Sequence, residues 1–242
     1  MDYVCGRNPV REALRGRRRV HRILAGRSAS QDKAAQLILN AAIEQGIAVQ
    51  ETDAEELARL SGTLPHQGLV AAVSDFPYVS LRELIEACSN VSEPVVFLLD
   101  GITDPMNFGA LARSAMAFGI SGLIIPKARS VVVTATVARA SAGAIEHCLV
   151  CQWNLSQAAR ELKQAGFWLS ATAAGARESL WSADLSGKTA VVLGAEDQGV
   201  SAQLRKECDF EIGIPISARV ESLNVAAAGA VIMAETARRR RE

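Results

Sequence analysis

The sequence predicts an α/β protein of two domains, the second built on a mostly parallel sheet with helices on both faces. Three observations carry the prediction. Runs such as VVFLLD at 95–100 are apolar without alternation, as strands covered on both faces are. These runs alternate with helical segments along the chain. The stretch SDFPYVS interrupts the alternation and places a domain boundary near Pro77. Of the 242 residues, 49% are hydrophobic and 21% charged, enough for a packed core and without a signature of disorder.

In chain order, residues 8–14 suit a short helix and VHRIL at 20–24 a strand. Residues 32–44 read as an amphipathic helix with Ala35, Leu37, Ile38, Ala41 and Ala42 inward, followed by a strand IAVQ at 47–50. Asp53 is placed to cap a helix through Leu60, and after the loop SGTLPHQG the run LVAAV at 69–73 is a buried strand. A helix at 81–88 and the polar stretch SNVSEP lead into the run at 95–100. GLII at 122–125, FWLSA at 167–171, AVVL at 190–193 and EIGI at 211–214 are further strands, between helical segments near 107–119, 134–143, 156–165 and 222–237. The chain thus divides into a first domain at 1–74, a linker and leading helix at 75–93, and a second domain at 94–242.

Charge excludes little by its total, since 26 Lys and Arg balance 26 Asp and Glu and no global positive field results. Its distribution is uneven. Up to Arg27 there are eight arginines (Arg7, Arg11, Arg15, Arg17, Arg18, Arg19, Arg22, Arg27) against Asp2 and Glu12, and Arg238 to Arg241 form a second cluster. A basic arm and a solvated helix face with a polar tail both remain open. Five scattered cysteines, no secretory signal and no apolar run of about 18 residues predict a reduced, cytoplasmic protein without a membrane span. Cys148 and Cys151 have CxxC spacing beside His147, but no second ligand pair stands at zinc-site distance, so core cysteines and no metal are expected. The sequence lacks GxGxxG, GxxxxGK[ST], GxSxG and HExxH, which argues against ordinary dinucleotide, P-loop, serine-hydrolase and zinc-protease sites.

Three segments carry chemistry. In LLDGITDPMNFGALARSAMAFG, residues 98–119, a strand ends at Asp100, and Asp104 and Pro105 suit the cap and first residue of a helix bearing Asn107 and Arg113. Both side chains could face one cavity; capping and a surface arginine are the plainer alternative. In VVLGAEDQGVS, residues 191–201, a buried strand breaks at Gly194 and delivers Glu196 at its carboxyl end, where ligands bind in open α/β sheets. In IGIPISARVESLNVAAAGAVIMAE, residues 212–235, a strand leads to Ser222 and Asn224 at the mouth of a small-residue helix.

In this order, at the ends of three apolar strands, these segments resemble the three motifs of the SpoU (TrmH) family of RNA ribose 2′-O-methyltransferases. SAGA at 141–144 with Glu146 and His147 is similar to the family's intermotif segment, so the likeness covers about 94–240. GRNPVREAL at 6–14 and HQG at 66–68 resemble the ribosomal-protein-like RNA-binding domain of the bacterial members that methylate a guanosine in 23S rRNA.

The resemblance implies a trefoil-knotted SPOUT domain, S-adenosyl-L-methionine (AdoMet) as methyl donor held around Gly194, Ile214 and Leu223, and a reaction centre of Asn107, Arg113, Glu196, Ser222 and Asn224. Arg113 falls on the family's proposed proton acceptor. Because a guanidinium is charged at neutral pH, a clamp on the ribose-phosphate suits it better. Met106 and Ala226 depart from the pattern at positions where relatives often carry polar residues. Ribosomal RNA as partner and a homodimer are the further expectations. The alternatives are the same chemistry on tRNA or on an antibiotic-site rRNA nucleotide, and a non-catalytic RNA-binding ribosome-assembly protein.

Overall fold

The computed structural model describes residues 2–128 and 130–240; Arg241, at the end of the C-terminal basic cluster, lies outside them. In chain order the elements begin with β1 (Asp2–Cys5), α1 (Arg7–Arg15), β2 (Val20–Gly26), α2 (Lys33–Glu44), β3 (Ala48–Thr52), α3 (Ala54–Ser61), β4 (Leu69–Val73) and α4 (Leu81–Cys88). They continue with β5 (Val95–Leu99), α5 (Pro105–Ala117), β6 (Gly122–Ile125), α6 (Ala135–Ala140), β7 (Val150–Gln152), α7 (Leu155–Gln164), β8 (Trp168–Thr172) and β9 (Glu178–Ser179). The chain closes with β10 (Thr189–Leu193), α8 (Ala202–Arg205), β11 (Phe210–Gly213) and α9 (Val225–Arg239). Two units divide it: the stretch up to Pro77 joined by Val132–His147, and Tyr78–Val131 joined by Cys148 onward.

In the N-terminal unit the sheet order is β1-β4-β2-β3, with β4 antiparallel to both neighbours and β3 parallel to β2. All five side chains of β4 are buried, which is why its run carries no polar residue. Asp32 and Asp53 cap α2 and α3, accepting from Ala35 N at 2.9 Å and Glu56 N at 2.8 Å. One inward assignment on α2 is corrected: Leu37 is 72% exposed. The buried stripe is Ala35, Ile38 and Ala42, at i, i+3 and i+7, and Leu37 stands about 100° away from Ile38 on the helix.

The segment 132–147, which the sequence reading placed in the second domain, completes this first unit through an ion pair. Arg18 Nε and Nη2 donate to Glu146 Oε2 and Oε1 at 2.9 and 2.5 Å, with side chains 1% and 0% exposed. Two glycines permit the approach. A Cβ on Gly16 would stand 2.6 Å from Glu146 Cβ, and one on Gly143, whose φ is +89°, would stand 2.6 Å from Glu12 Cβ. Arg17 N donates to Glu146 O at 3.1 Å, and His147 Nε2 lies 3.0 Å from Glu12 Oε2.

The C-terminal unit holds a seven-stranded sheet in the order β7-β6-β5-β10-β8-β11-β9, parallel at every pairing. On one face Leu84 of α4, Leu162 of α7 and Leu204 of α8 pack on Val96, Ile124 and Val192. On the other, α9 lies against α5 and β10. Gly229 makes this possible, because a Cβ there would run into Leu111 and stand 3.1 Å from Leu193 Cδ2. The alanine- and glycine-rich helix read from sequence is thus a close-packing surface. Cys5, Cys88, Cys148 and Cys151 are core residues and Cys208 is half-buried against the core; burial pushes the thiols of Cys5, Cys88, Cys151 and Cys208 up to about 11. Among the described residues no helix is long and apolar enough to cross a membrane, and no group of three or more His, Cys, Asp or Glu could hold a metal.

Candidate active site

β5 and β10 are neighbouring parallel strands, so their carboxyl ends open side by side. Asp100, just past β5, ties the two exits together: its N–H donates to Leu193 O at 2.9 Å, and its Oδ2 accepts from Ser201 N at 2.8 Å. Between Leu193 and Ser201 the chain makes a tight loop. Gly199, at φ +63°, donates to Ala195 O at 2.9 Å, and a Cβ on Gly194 would run into the backbone of Gly199 and Val200. Glycine at 194 is therefore required by close backbone approach.

Two helices start at the mouth of this loop. Asp104 caps α5, its carboxylate accepting from Met106 N at 3.0 Å and Asn107 N at 3.2 Å, with Pro105 in the first helical turn. Asn224 caps α9, its Oδ1 accepting from Ala226 N at 3.0 Å and Ala227 N at 3.3 Å. With Oδ1 committed to the helix, Asn224 Nδ2 donates to Glu196 Oε1 at 2.6 Å and to Asn107 Oδ1 at 3.0 Å. Glu196 Oε1 also accepts from Val225 N at 3.1 Å and from Asn107 Nδ2 at 3.4 Å. Three segments distant in sequence thus meet through one carboxylate oxygen. Oε2 of Glu196 has no partner among the described residues, and both Glu196 and Asn224 are exposed.

Beside this cluster lies a cavity of about 500 Å³ whose lining includes Gly194, Glu196, Ile214, Ser222 and Leu223. Five of the eight residues singled out from sequence therefore share one cavity, and Asn107 and Asn224 adjoin it through Glu196. Arg113 stands apart. It is six residues beyond Asn107, about 240° around α5, exposed and without an ion pair or hydrogen bond among the described residues. Neither Asn107 nor Arg113 is in the cavity lining.

Sequence reasoning missed two contributions. The end of β8 and the loop that follows it, Thr172–Ala176, form another wall; the signal was the small-residue run TAAGA at the end of a strand. Asp100 was read as the end of a strand, and its hold on Ser201 had no local signature. The wall also carries the Arg205–Glu211 pair, at 3.2 Å.

The model of the SpoU rRNA methylase family matches residues 94–234, and a model for RNA 2′-O ribose methyltransferase substrate binding matches residues 3–79. The chain is 37% identical over 241 residues to the Bacillus subtilis protein YacO, described as a TrmH family tRNA/rRNA methyltransferase, covering 99% of this chain and 96% of that protein. Among solved structures, an RNA methyltransferase of the TrmH family from Porphyromonas gingivalis is 27% identical with a TM-score of 0.79, over 98% of this chain and 90% of that one. The SpoU methyltransferase AviRb from Streptomyces viridochromogenes, solved in complex with the cofactor AdoMet, shares the fold at a TM-score of 0.82 and 23% identity, over 99% of this chain and 90% of that one. The first of these matches spans all four strand ends that build the cavity and its polar cluster, and with it the chain belongs to the SpoU (TrmH) family of RNA methyltransferases.

Proposed function

We propose that the protein uses AdoMet to methylate a ribose 2′-hydroxyl of a guanosine in 23S rRNA. The observation that carries this reading is the meeting of Asn107, Glu196 and Asn224 at the rim of the 500 Å³ cavity. The cavity suits AdoMet in size and chemistry. Its walls are backbone-rich at Gly194 and Gly213, apolar at Leu193, Ile212 and Leu223, and among the described residues bear Glu196, Asp197, Glu211 and Glu221 against one cation, Arg205, a balance that favours a positively charged ligand. When bound, AdoMet supplies a methyl group activated by its sulfonium.

The chain's own residues then have positioning to do. Glu196 is held by two amides and a backbone N–H on one oxygen, which leaves Oε2 to accept from a ribose hydroxyl and align the 2′-oxygen. Asn107 and Asn224 fix that carboxylate and are themselves fixed by the starts of α5 and α9. Ser222, exposed at the cavity rim, is assigned a substrate contact. Arg113, exposed and without an ion pair or hydrogen bond among the described residues, clamps the ribose-phosphate and stabilises the developing oxyanion, with the proton passing to the RNA phosphate or another group. In the N-terminal unit, Arg7 and Arg11 are paired with Asp32 and Glu12, and Arg18 is buried. Arg15, Arg17, Arg19 and Arg27, exposed and without ion pairs among the described residues, are assigned to RNA phosphates. The reading includes a trefoil knot in the methyltransferase domain, which rests on the family match, as well as a homodimer and a cytoplasmic location.

The test is transfer of labelled methyl from AdoMet to 23S rRNA fragments and to tRNA in parallel, with nuclease mapping of the mark. Label confined to rRNA and lost in Arg113→Ala supports the reading. Label in tRNA overturns the substrate and keeps the chemistry, a second reading favoured by the tRNA/rRNA description of YacO. Arg113→Lys retaining most activity counts against a bidentate clamp.

A further inference from the structure

The loop whose residues 194–199 line the first cavity ends at Ser201, and Ser201 lines a second cavity of about 410 Å³. It opens at the carboxyl ends of three adjacent strands: Asp100 follows β5, Lys127 follows β6 and Trp153 follows β7. Ligands of open α/β sheets bind at such strand ends.

Trp153 is built in firmly. Its backbone N–H donates to Ile125 O at 3.0 Å, and its indole packs on the core formed by α4, α7 and the sheet. Lys127 Nζ lies 4.3 Å from the centroid of the indole ring. This lysine is exposed and has no carboxylate partner among the described residues; Asp100, which lines the same cavity, is committed to Ser201 N. A flat aromatic face inside a concavity, with one exposed ammonium resting on it, matches a planar base joined to a phosphate. The chain has only three tryptophans, so the match is to a single base.

We propose that this cavity takes one nucleotide of the RNA chain, the base stacked on Trp153 and the phosphate held by Lys127 as it swings off the ring. The proposal rests on the function proposed above and adds a subsite that fixes the strand beside the reacting ribose. Sequence tolerance is expected at this position, because stacking uses the face that all bases share.

Trp168→Phe with Trp181→Phe leaves Trp153 as the sole tryptophan, and both replaced side chains are more than half exposed, at 62% and 52%. A short single-stranded oligoribonucleotide and GMP are titrated into this protein while tryptophan fluorescence is read, and AdoMet binding is measured separately by calorimetry. The expected result is saturable quenching by the oligoribonucleotide. Adding Lys127→Ala, a surface change, should weaken it about tenfold and lower the salt dependence by about one phosphate contact. No quenching, or quenching that Lys127→Ala leaves unaltered, overturns the subsite. Quenching by GMP with the affinity of the oligoribonucleotide overturns its assignment to the RNA chain. A protein that binds AdoMet without quenching loses the subsite alone, whereas one that fails to bind AdoMet loses the proposed function.

Discussion

Glu146 and Glu196 are the same residue in opposite surroundings. Glu146 is fully buried and spends both oxygens on one guanidinium, while Glu196 is exposed and gathers two amides and a backbone N–H on a single oxygen. A buried carboxylate with both oxygens bound to one guanidinium holds structure. An exposed one fixed from one side keeps an oxygen aimed outward, which is what a reacting site needs. The contrast predicts that substitutions at the first are read in stability and at the second in activity.

The largest effect is expected at Glu146. Glu146→Ala leaves Arg18 charged and buried and should cost about 3–5 kcal/mol in chemical denaturation. Replacing both partners, Arg18→Met with Glu146→Leu, should recover most of that loss. A single variant that unfolds no more easily than the parent would break the comparison.

Glu235 sharpens it as a second buried carboxylate whose partners are local. Arg238 and Arg239, one turn on along α9, donate to it at 2.7–3.0 Å, and these hydrogen bonds hold its carboxyl at about 2, against the cost of its burial. Its folded value lies below its unfolded one, so its contribution is complete above about pH 4.5 and is lost as pH falls towards 2. The loss should amount to about 3 kcal/mol. Acid titration of Glu235→Gln against the parent measures it, and identical curves would remove the assignment.

At Glu196 the prediction reverses. Glu196→Gln should lower methyl transfer about 100-fold, with the melting temperature within a few degrees of the parent. A variant that lost stability instead would make the cluster a structural one. The smallest effect is expected at Leu37, where Leu37→Ser should change stability by no more than about 0.5 kcal/mol, because the side chain is already 72% exposed.

Leu37 also shows where sequence reading stops. Its type and its neighbours on α2 suggested the core, but the buried stripe is set by the sheet beneath, and a single leucine does not reveal which side of the stripe it occupies. Where the signal was continuous, the agreement is close. Residues 69–73, 81–88 and 122–125 form the strands and helix expected over those residues, because all-apolar strands and the Ser80–Glu83 capping box state their boundaries locally. The short elements β1, β7, β9 and α8 carry too few residues for any period to show. At the site, Asn107, Glu196 and Asn224 were legible as motif positions, whereas their shared hydrogen bonds depend on residues 89 and 28 apart in sequence. The Arg18–Glu146 pair spans 128 residues and left no local trace.

That span governs the order in which the protein can be completed as it is made. The chain leaves its N-terminal unit at Pro77 and returns only at Val132, so the first sheet must emerge with Arg18 still lacking Glu146. At about 5–20 residues per second, synthesis of the intervening stretch takes on the order of several seconds. During that interval the nascent sheet holds a positive charge at a site that later closes over it, and the tail of one unit must wait for about a third of the other to be translated.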